Sequence, residues 1–342
     1  MAYPAPARIM AIESSCDETA CAVLENGRAL LGSTVASQMD IHARYGGVFP
    51  EVASRQHVLS IMPVIEDTLA KSHLTLSDID ALAVTRGPGL AGSLVVGVNA
   101  AKGLALGTGL PLIGVNHLEG HLYSAWVYNA GQTPPPEPEF PLMVLLVSGG
   151  HTELDLMTGH LEYKRLGSTL DDAAGEAFDK VGRVLGLSYP GGPAIQKASE
   201  EGDPHRFELP RAWLEDTWNF SFSGLKTAVL REVKSFHAQG RTLPAADMAA
   251  SFQEAVVDVL FIKTMDAARE FQVKEILVAG GVSANHALRE RFLHQREFPV
   301  HIPALSLCTD NAAMVAAAGY RRLALGQPSA MDMDVLPTWP LA

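Results

Sequence analysis

The chain has 342 residues, 47% hydrophobic and 19% charged, with 30 glycines and a formal net charge of −12. That length exceeds one minimal core and suits two packed domains, and the composition excludes extended disorder. The acid excess argues against a stand-alone nucleic-acid binder, which needs surplus Lys and Arg to neutralise phosphates.

Residues 8–27, RIMAIESSCDETACAVLENG, read as an apolar strand, a polar turn at 14–19 and a second strand ending on the turn pair Asn26-Gly27. The apolar run before Glu13 is too short for a signal peptide, and no stretch reaches the roughly 18 apolar residues of a spanning helix. Cys16, Cys21 and Cys308 form an odd set without C-x-x-C spacing, so neither a disulfide framework nor a cysteine zinc site is expected. A cytoplasmic protein in a reducing compartment follows. Strands are expected at 81–85 and 111–116, with helical patterns between. Gly87-Pro88-Gly89-Leu90-Ala91-Gly92 matches G-x-G-x-x-G, but the next strand ends at Asn116 where a dinucleotide fold needs an acid. Close helix–strand packing or a substrate-facing loop is the better reading.

In VNHLEGHLYSA (115–125), His117 and His121 stand four residues apart and share one face of a helix. A metal site needs a third ligand. Neither zinc-protease pattern fits: H-E-x-x-H would put its glutamate at Leu118 and H-x-x-E-H at Gly120, whereas Glu119 lies between. AGQTPPPEPEFP (130–141) reads as an extended surface linker.

Residues 141–159, PLMVLLVSGGHTELDLMTG, repeat the strand–polar turn–strand plan of the first hairpin, which points to an internal duplication with each hairpin opening a domain. The turn Ser148-Gly149-Gly150-His151-Thr152 offers successive backbone amides of the kind that cradle phosphate without a lysine. Asp171, Asp172, Glu176 and Asp179 are spaced for a helix, and one carboxylate at a helix start is a candidate for ribose hydroxyls. Residues 219–234, with Ser221, Ser223 and Gly224, are a candidate lining for an anionic substrate. A long core-facing helix is expected over 247–271, with Met248, Phe252, Val256 and Leu260 on one face. Residues 275–292 read as a buried strand, a Gly-Gly turn and a helix beginning near Ser283, whose free amides suit an anion. In CTDNAAM (308–314), Asp310 and Asn311 are candidate caps of an Ala-rich helix at about 312–325, and Asp310 is a candidate third metal ligand. Together these features suggest a phosphate-handling cleft between two domains.

Ten segments run in the order of one known family: SSCDET, RYGGVFPEVASRQH, GPGLAGSLVVG, NHLEGH, LVSGGHT, EAFDKVGR, YPGGP, FSFSGLKTA, GGVSANHALR and CTDNAAM. The chain closely resembles, over nearly its whole length, the TsaD family of tRNA threonylcarbamoyladenosine transferases, formerly described as O-sialoglycoprotein endopeptidases. The resemblance implies an α/β, actin-like and Hsp70-like (ASKHA) ATPase fold, with two ribonuclease-H-like domains around a central nucleotide cleft. Residues 1–112 with about 305–342 would form the first domain, and 113–304, with the Pro-rich loop 131–141, the second. The implied reaction moves the threonylcarbamoyl group from threonylcarbamoyl-AMP to N6 of adenosine 37 in tRNAs reading ANN codons.

By position, the resemblance implies that His117, His121 and Asp310 hold one metal ion, Fe(2+) or alternatively Zn(2+). Leu146, Val147, Ser148, Gly149, Gly150, Asp179, Gly192 and Asn285 would bind the adenylate or an ATP/ADP-type nucleotide. Asp17 and Glu18 would position the attacking amine or a water. Leu146 stands where the archaeal and eukaryotic branch carries a tyrosine able to join the metal shell, so the chain sides with the bacterial branch and its site is expected to be more open. The implied partners are tRNA, a paralogous ASKHA subunit (TsaB), a P-loop ATPase (TsaE) and a separate synthase for the adenylate, with no membrane. A metalloprotease and a non-enzymatic ASKHA scaffold are the rival readings. The first lacks its glutamate position, and the second has no need of a metal triad.

Overall fold

Strand β1 (Arg8–Glu13) pairs antiparallel with β2 (Glu18–Glu25), and β2 with β3 (Ala29–Ser37). The loop joining β2 to β3 opens with Asn26 and Gly27 at φ 53° and 69°, the left-handed conformations that close a tight hairpin. Next come α1 (Met39–Ala43) and α2 (Pro50–Ser72), the latter with proline in its first turn, where a missing N–H costs nothing. β4 (Ala81–Gly87), α3 (Ala91–Thr108) and β5 (Leu112–Asn116) add two parallel strands beside β1. The short α4 (His117–Tyr123) and β6 (Tyr128–Asn129) follow, and the sheet order is β5-β4-β1-β2-β3-β6.

A second sheet is built the same way. β7 (Leu142–Val147), β8 (Thr152–Gly159) and β9 (Glu162–Ser168) form an antiparallel meander. Four helices follow: α5 (Ala174–Val184), α6 (Gly191–Ser199), α7 (Ser223–Ala238) and α8 (Ala245–Glu270). β10 (Glu275–Ala279), α9 (His286–His294) and β11 (Val300–His301) complete the sheet, with β10 parallel to β7 and β11 parallel to β10. The order β11-β10-β7-β8-β9 repeats the first sheet's fifth, fourth, first, second and third strands, with the same directions. The duplication expected from the paired hairpins therefore extends to the whole strand plan. α10 (Ala312–Ala324) closes the chain's last helical segment.

The computed structural model describes residues 7–342. These form two units, one running up to Glu137 and again from Pro303 to Ala342, the other spanning Pro138–Ile302. In the first, Met10, Ile12 and Val84 alternate into a core shared with Ile61 and Ile65 of α2 and Val98 of α3. In the second, Met143, Leu145 and Val147 face α5 and α8, whose expected stripe of Met248, Phe252, Val256 and Leu260 is fully buried. Phe178 meets Phe252 edge to face at 5.2 Å and 83°, an arrangement that contributes about 0.5–1.5 kcal/mol beyond burial.

The boundary expected at 112/113 lies at 137/138. β5 completes the parallel edge of the first sheet and α4 packs on α10, so residues 113–137 belong to the first unit. The Pro-rich loop is no free spacer at this point, because Glu137 pairs with both Arg28 and Arg321. The helix expected near Ser283 begins at His286, after a 3-10 turn over Gly281–Ala284. No helix among the described residues is long and apolar enough to cross a membrane.

Candidate metal centre and ligand pocket

The polypeptide turns from β5 into α4 at Asn116, whose Oδ1 accepts from the amides of Leu118 (2.9 Å) and Glu119 (3.5 Å). This cap starts the helix one residue before His117, which sets His117 and His121 one above the other. Their ring centroids are 4.7 Å apart. Gly120 lets α10 come close, since a Cβ there would stand 3.2 Å from Met314 Cγ. Asp310 precedes α10, but Asn311 is the residue that caps it, accepting from Met314 N at 3.0 Å. The Asp310 carboxylate is thereby left without a capping duty.

Asp310 Oδ1 lies 3.2 Å from His121 Nε2 and 3.5 Å from His117 Nε2. Ligand atoms held about 2.1 Å from one ion stand roughly 3.0 Å apart in octahedral cis positions and 3.4 Å in a tetrahedron. One ligand atom from each of the three residues falls within 4.8 Å of the others. His121 is 1% exposed, its Nε2 faces the Asp310 carboxylate and its Nδ1 has no hydrogen-bond partner, an expensive state for a buried imidazole nitrogen. Two histidines and one carboxylate on one side of an open position are the donor set of a divalent transition metal. The residues present fit such an ion.

Sequence reasoning missed Glu13. It ends β1 fully buried and accepts from Ser15 N (2.5 Å) and Thr85 Oγ1 (2.6 Å), and its Oε2 is 3.2 Å from His117 Nδ1. Ser15 Oγ sits 3.1 Å from the same nitrogen. A carboxylate on the far nitrogen of a ligating histidine fixes the tautomer and turns the other nitrogen toward the ion. The one signal for it in the sequence is a lone glutamate closing an apolar strand. Burial alone would lower the His117 pKa, but Asp310 and Glu13 outweigh it and push it up to about 9. Burial also opposes charge on Asp310, yet the two histidines hold its carboxyl down at about 2. The site is thus an electronegative pocket that draws in positive charge.

Asp17 lies on the turn after β1 and Glu18 opens β2, where Ser37 Oγ donates to Glu18 Oε1 at 3.0 Å. Burial, joined by the charges of Asp17 and Asp310, pushes the Glu18 carboxyl up to about 9. Glu18 therefore carries a proton at neutral pH. Burial likewise pushes the Cys16 thiol up, which removes it as a nucleophile.

The second unit holds a cavity of about 330 Å³. Four expected residues, Gly149, Asp179, Gly192 and Asn285, line it together with Gly175 and Gly281. The small residues leave the space, and two carry specific duties. Asp179 Oδ1 accepts from Gly191 N at 2.7 Å, and burial pushes its carboxyl up. Asn285 caps α9 through Leu288 N (3.1 Å) and donates to Gln253 Oε1 (2.8 Å). Leu146 and Val147 do not line this cavity, being wholly buried in β7. Ser148 closes the turn by donating its amide to His151 O (2.8 Å), which leaves Gly149 and Gly150 exposed at the tip.

Asp171, an exposed residue, accepts from Ser221 Oγ (2.5 Å), Ser223 Oγ (2.7 Å) and Phe222 N (2.8 Å), tying down the start of α7. Asp172 pairs with Lys180 at 2.6 Å. The G-x-G-x-x-G segment proves to be a packing device, since a Cβ on Gly89 would lie 2.6 Å from Ser15 O. A larger cavity of about 620 Å³ beside Trp213, Trp218 and Asp266 contains none of the expected residues.

A relative from Dehalococcoides mccartyi, named tRNA N6-adenosine threonylcarbamoyltransferase, is 56% identical over 330 residues, 96% of this chain and 98% of its own length. One of the same name from Thermomicrobium roseum is 54% identical, covering 97% of this chain and 96% of its own. Among solved structures, HypF of T. kodakarensis aligns with a TM-score of 0.65 at 14% identity, covering 95% of this chain and 49% of that one, and the shared fold is of the ASKHA type. The family model of TsaD, tRNA N6-adenosine threonylcarbamoyltransferase, matches residues 29–317, and the chain belongs to that family.

Proposed function

We propose that this transferase moves the threonylcarbamoyl group of threonylcarbamoyl-AMP to N6 of adenosine 37 in tRNAs reading ANN codons, forming t6A. The observation that carries the reading is the convergence of His117, His121 and Asp310, with one carboxylate oxygen facing both imidazoles. Family membership gives the reaction class. Fe(2+) is the ion proposed for the triad, and when bound it would polarise the carbamoyl oxygen as charge builds there. The chain's own residues do the rest. Glu13 orients His117 through Nδ1. The cavity lined by Gly149, Asp179, Gly192 and Asn285 takes the adenylate, and the exposed glycine turn faces its phosphate with backbone amides. Glu18, holding a proton, and Asp17 beside it orient the weakly basic adenine amine.

The protease alternative loses its last support in Glu119, which is 1% exposed and accepts from Arg322 Nε at 2.6 Å. A carboxylate so engaged does not activate water. The chain acts in the cytoplasm, and its −12 charge calls for help in holding tRNA. That help comes from a paralogous ASKHA subunit (TsaB) and a P-loop ATPase (TsaE), with the adylate donor, threonylcarbamoyl-AMP, supplied by a separate synthase. Val58, Leu59 and Met62, exposed at 62%, 70% and 49% on α2, give a protein partner an apolar face. The purified chain, given adenylate and tRNA, is expected to transfer little until those subunits are added. Multiple-turnover t6A formation by the chain alone, read by nucleoside mass spectrometry, overturns that dependence.

A further inference from the structure

At seven residues, α4 is too short to hold itself as a helix in water, so the positions of His117 and His121 depend on what grips it. Two grips come from one place. Asn116, the cap, donates Nδ2 to the backbone carbonyls of Trp339 (3.1 Å) and Pro340 (3.2 Å). Glu119, in the middle of the helix, binds Arg322, whose guanidinium lies over the Trp339 ring at 5.7 Å; that of Arg86 lies over the same ring at 5.9 Å.

The segment making these contacts is itself seated. Leu336 N donates to Arg86 O (2.8 Å), Gly89 N to Pro337 O (3.1 Å) and Arg86 Nε to Asp334 O (2.6 Å). Gly87 at the end of β4 leaves the room: a Cβ there would lie 1.8 Å from Leu336 O. Residues 334–340 are therefore built into the same corner as the helix that carries two of the three ligands.

We propose that the segment Leu336–Pro340 is a positioning element for the metal-binding histidines, acting through Asn116 and through the Trp339–Arg322–Glu119 chain. This rests on the metal reading of His117, His121 and Asp310. None of these positioning residues belongs to that triad. Their effect comes from holding α4 to the fraction of an ångström that a ligand set requires. Changes just outside a ligand shell commonly cost 10- to 100-fold in metal affinity.

The test is titration of the metal-free protein with Co(2+), following both affinity and the d–d absorption that reports ligand geometry, with thermal unfolding of each metal-free variant measured alongside. Trp339→Ala and a chain stopped after Thr338 are expected to bind Co(2+) at least about 10-fold more weakly with an altered band. Trp339→Phe, which keeps a ring under the guanidinium groups, is expected to restore both. Should the shortened chain fail to fold, Asn116→Asp decides: it keeps the cap but loses both donors to Trp339 and Pro340. Wild-type affinity and spectrum in the folded variants overturn the proposal. His117→Ala separates the two ideas, because it abolishes Co(2+) binding if the triad is the metal site. Retained binding there would sink the metal reading itself.

Discussion

His117→Ala and Asp310→Asn are each expected to strip the protein of its ion and to cut t6A formation by at least about 100-fold, on the order of 2.7 kcal/mol of transition-state stabilisation. The asparagine keeps the shape of Asp310 and removes only its charge, so a loss there isolates ligation from packing. Both effects follow from one oxygen, Asp310 Oδ1, standing 3.2 and 3.5 Å from the two imidazole nitrogens. Neither substitution touches the cavity of the second unit, so adenylate affinity measured by calorimetry is expected to stay within a few fold of wild type. Metal analysis of the purified variants checks the first half of the expectation. Wild-type metal content in both removes the triad from the account.

Gly192→Leu is the complementary change. Gly192 lines the 330 Å³ cavity, and a Cβ at that position meets no atom within 4 Å, so a leucine there is expected to narrow the cavity without a clash at its Cβ. Adenylate binding is expected to weaken at least about 10-fold, or 1.4 kcal/mol, while metal content and folding hold. Leucine also favours the helix over glycine by several tenths of a kcal/mol, which guards against a trivial loss of stability. Unchanged adenylate affinity would place the substrate elsewhere. The contrast with Gly191 is instructive, because there a Cβ would lie 2.5 Å from Asp179 Cα and force α5 and α6 apart.

Much of this was legible in the residues. The repeated hairpins announced a duplication that the strand order of both sheets repeats, and the four-residue spacing of His117 and His121 placed two imidazoles on one face. What stayed hidden depends on pairing across long stretches of chain. Glu13 reads as the polar end of an apolar strand until His117, more than a hundred residues away, turns its Nδ1 toward it. Glu119 invited comparison with protease motifs, and only the distant Arg322 reveals its structural duty. Asp171 is one of four carboxylates at helical spacing, and only the fold shows that Ser221 and Ser223 engage it. Local pattern reports which face a side chain takes, and it cannot report which partner arrives there.

The two units divide at 137/138, inside the proline-rich segment 131–141 and beyond the boundary expected at 112/113. The prolines of 131–141 mark where regular structure stops, but a boundary depends on which sheet each flanking element joins. β5 pairs with β4, and α4 packs on α10, so the first unit keeps its chain until Glu137.

The most direct measurement is a single-turnover reaction with threonylcarbamoyl-AMP carrying heavy-isotope threonine, tRNA and the partner subunits, followed by nucleoside mass spectrometry and AMP quantitation. The account predicts heavy t6A at position 37 and AMP in equal amounts, with both lost in His117→Ala. Release of AMP with the tRNA unmodified, or equal labelling by wild type and His117→Ala, would contradict it.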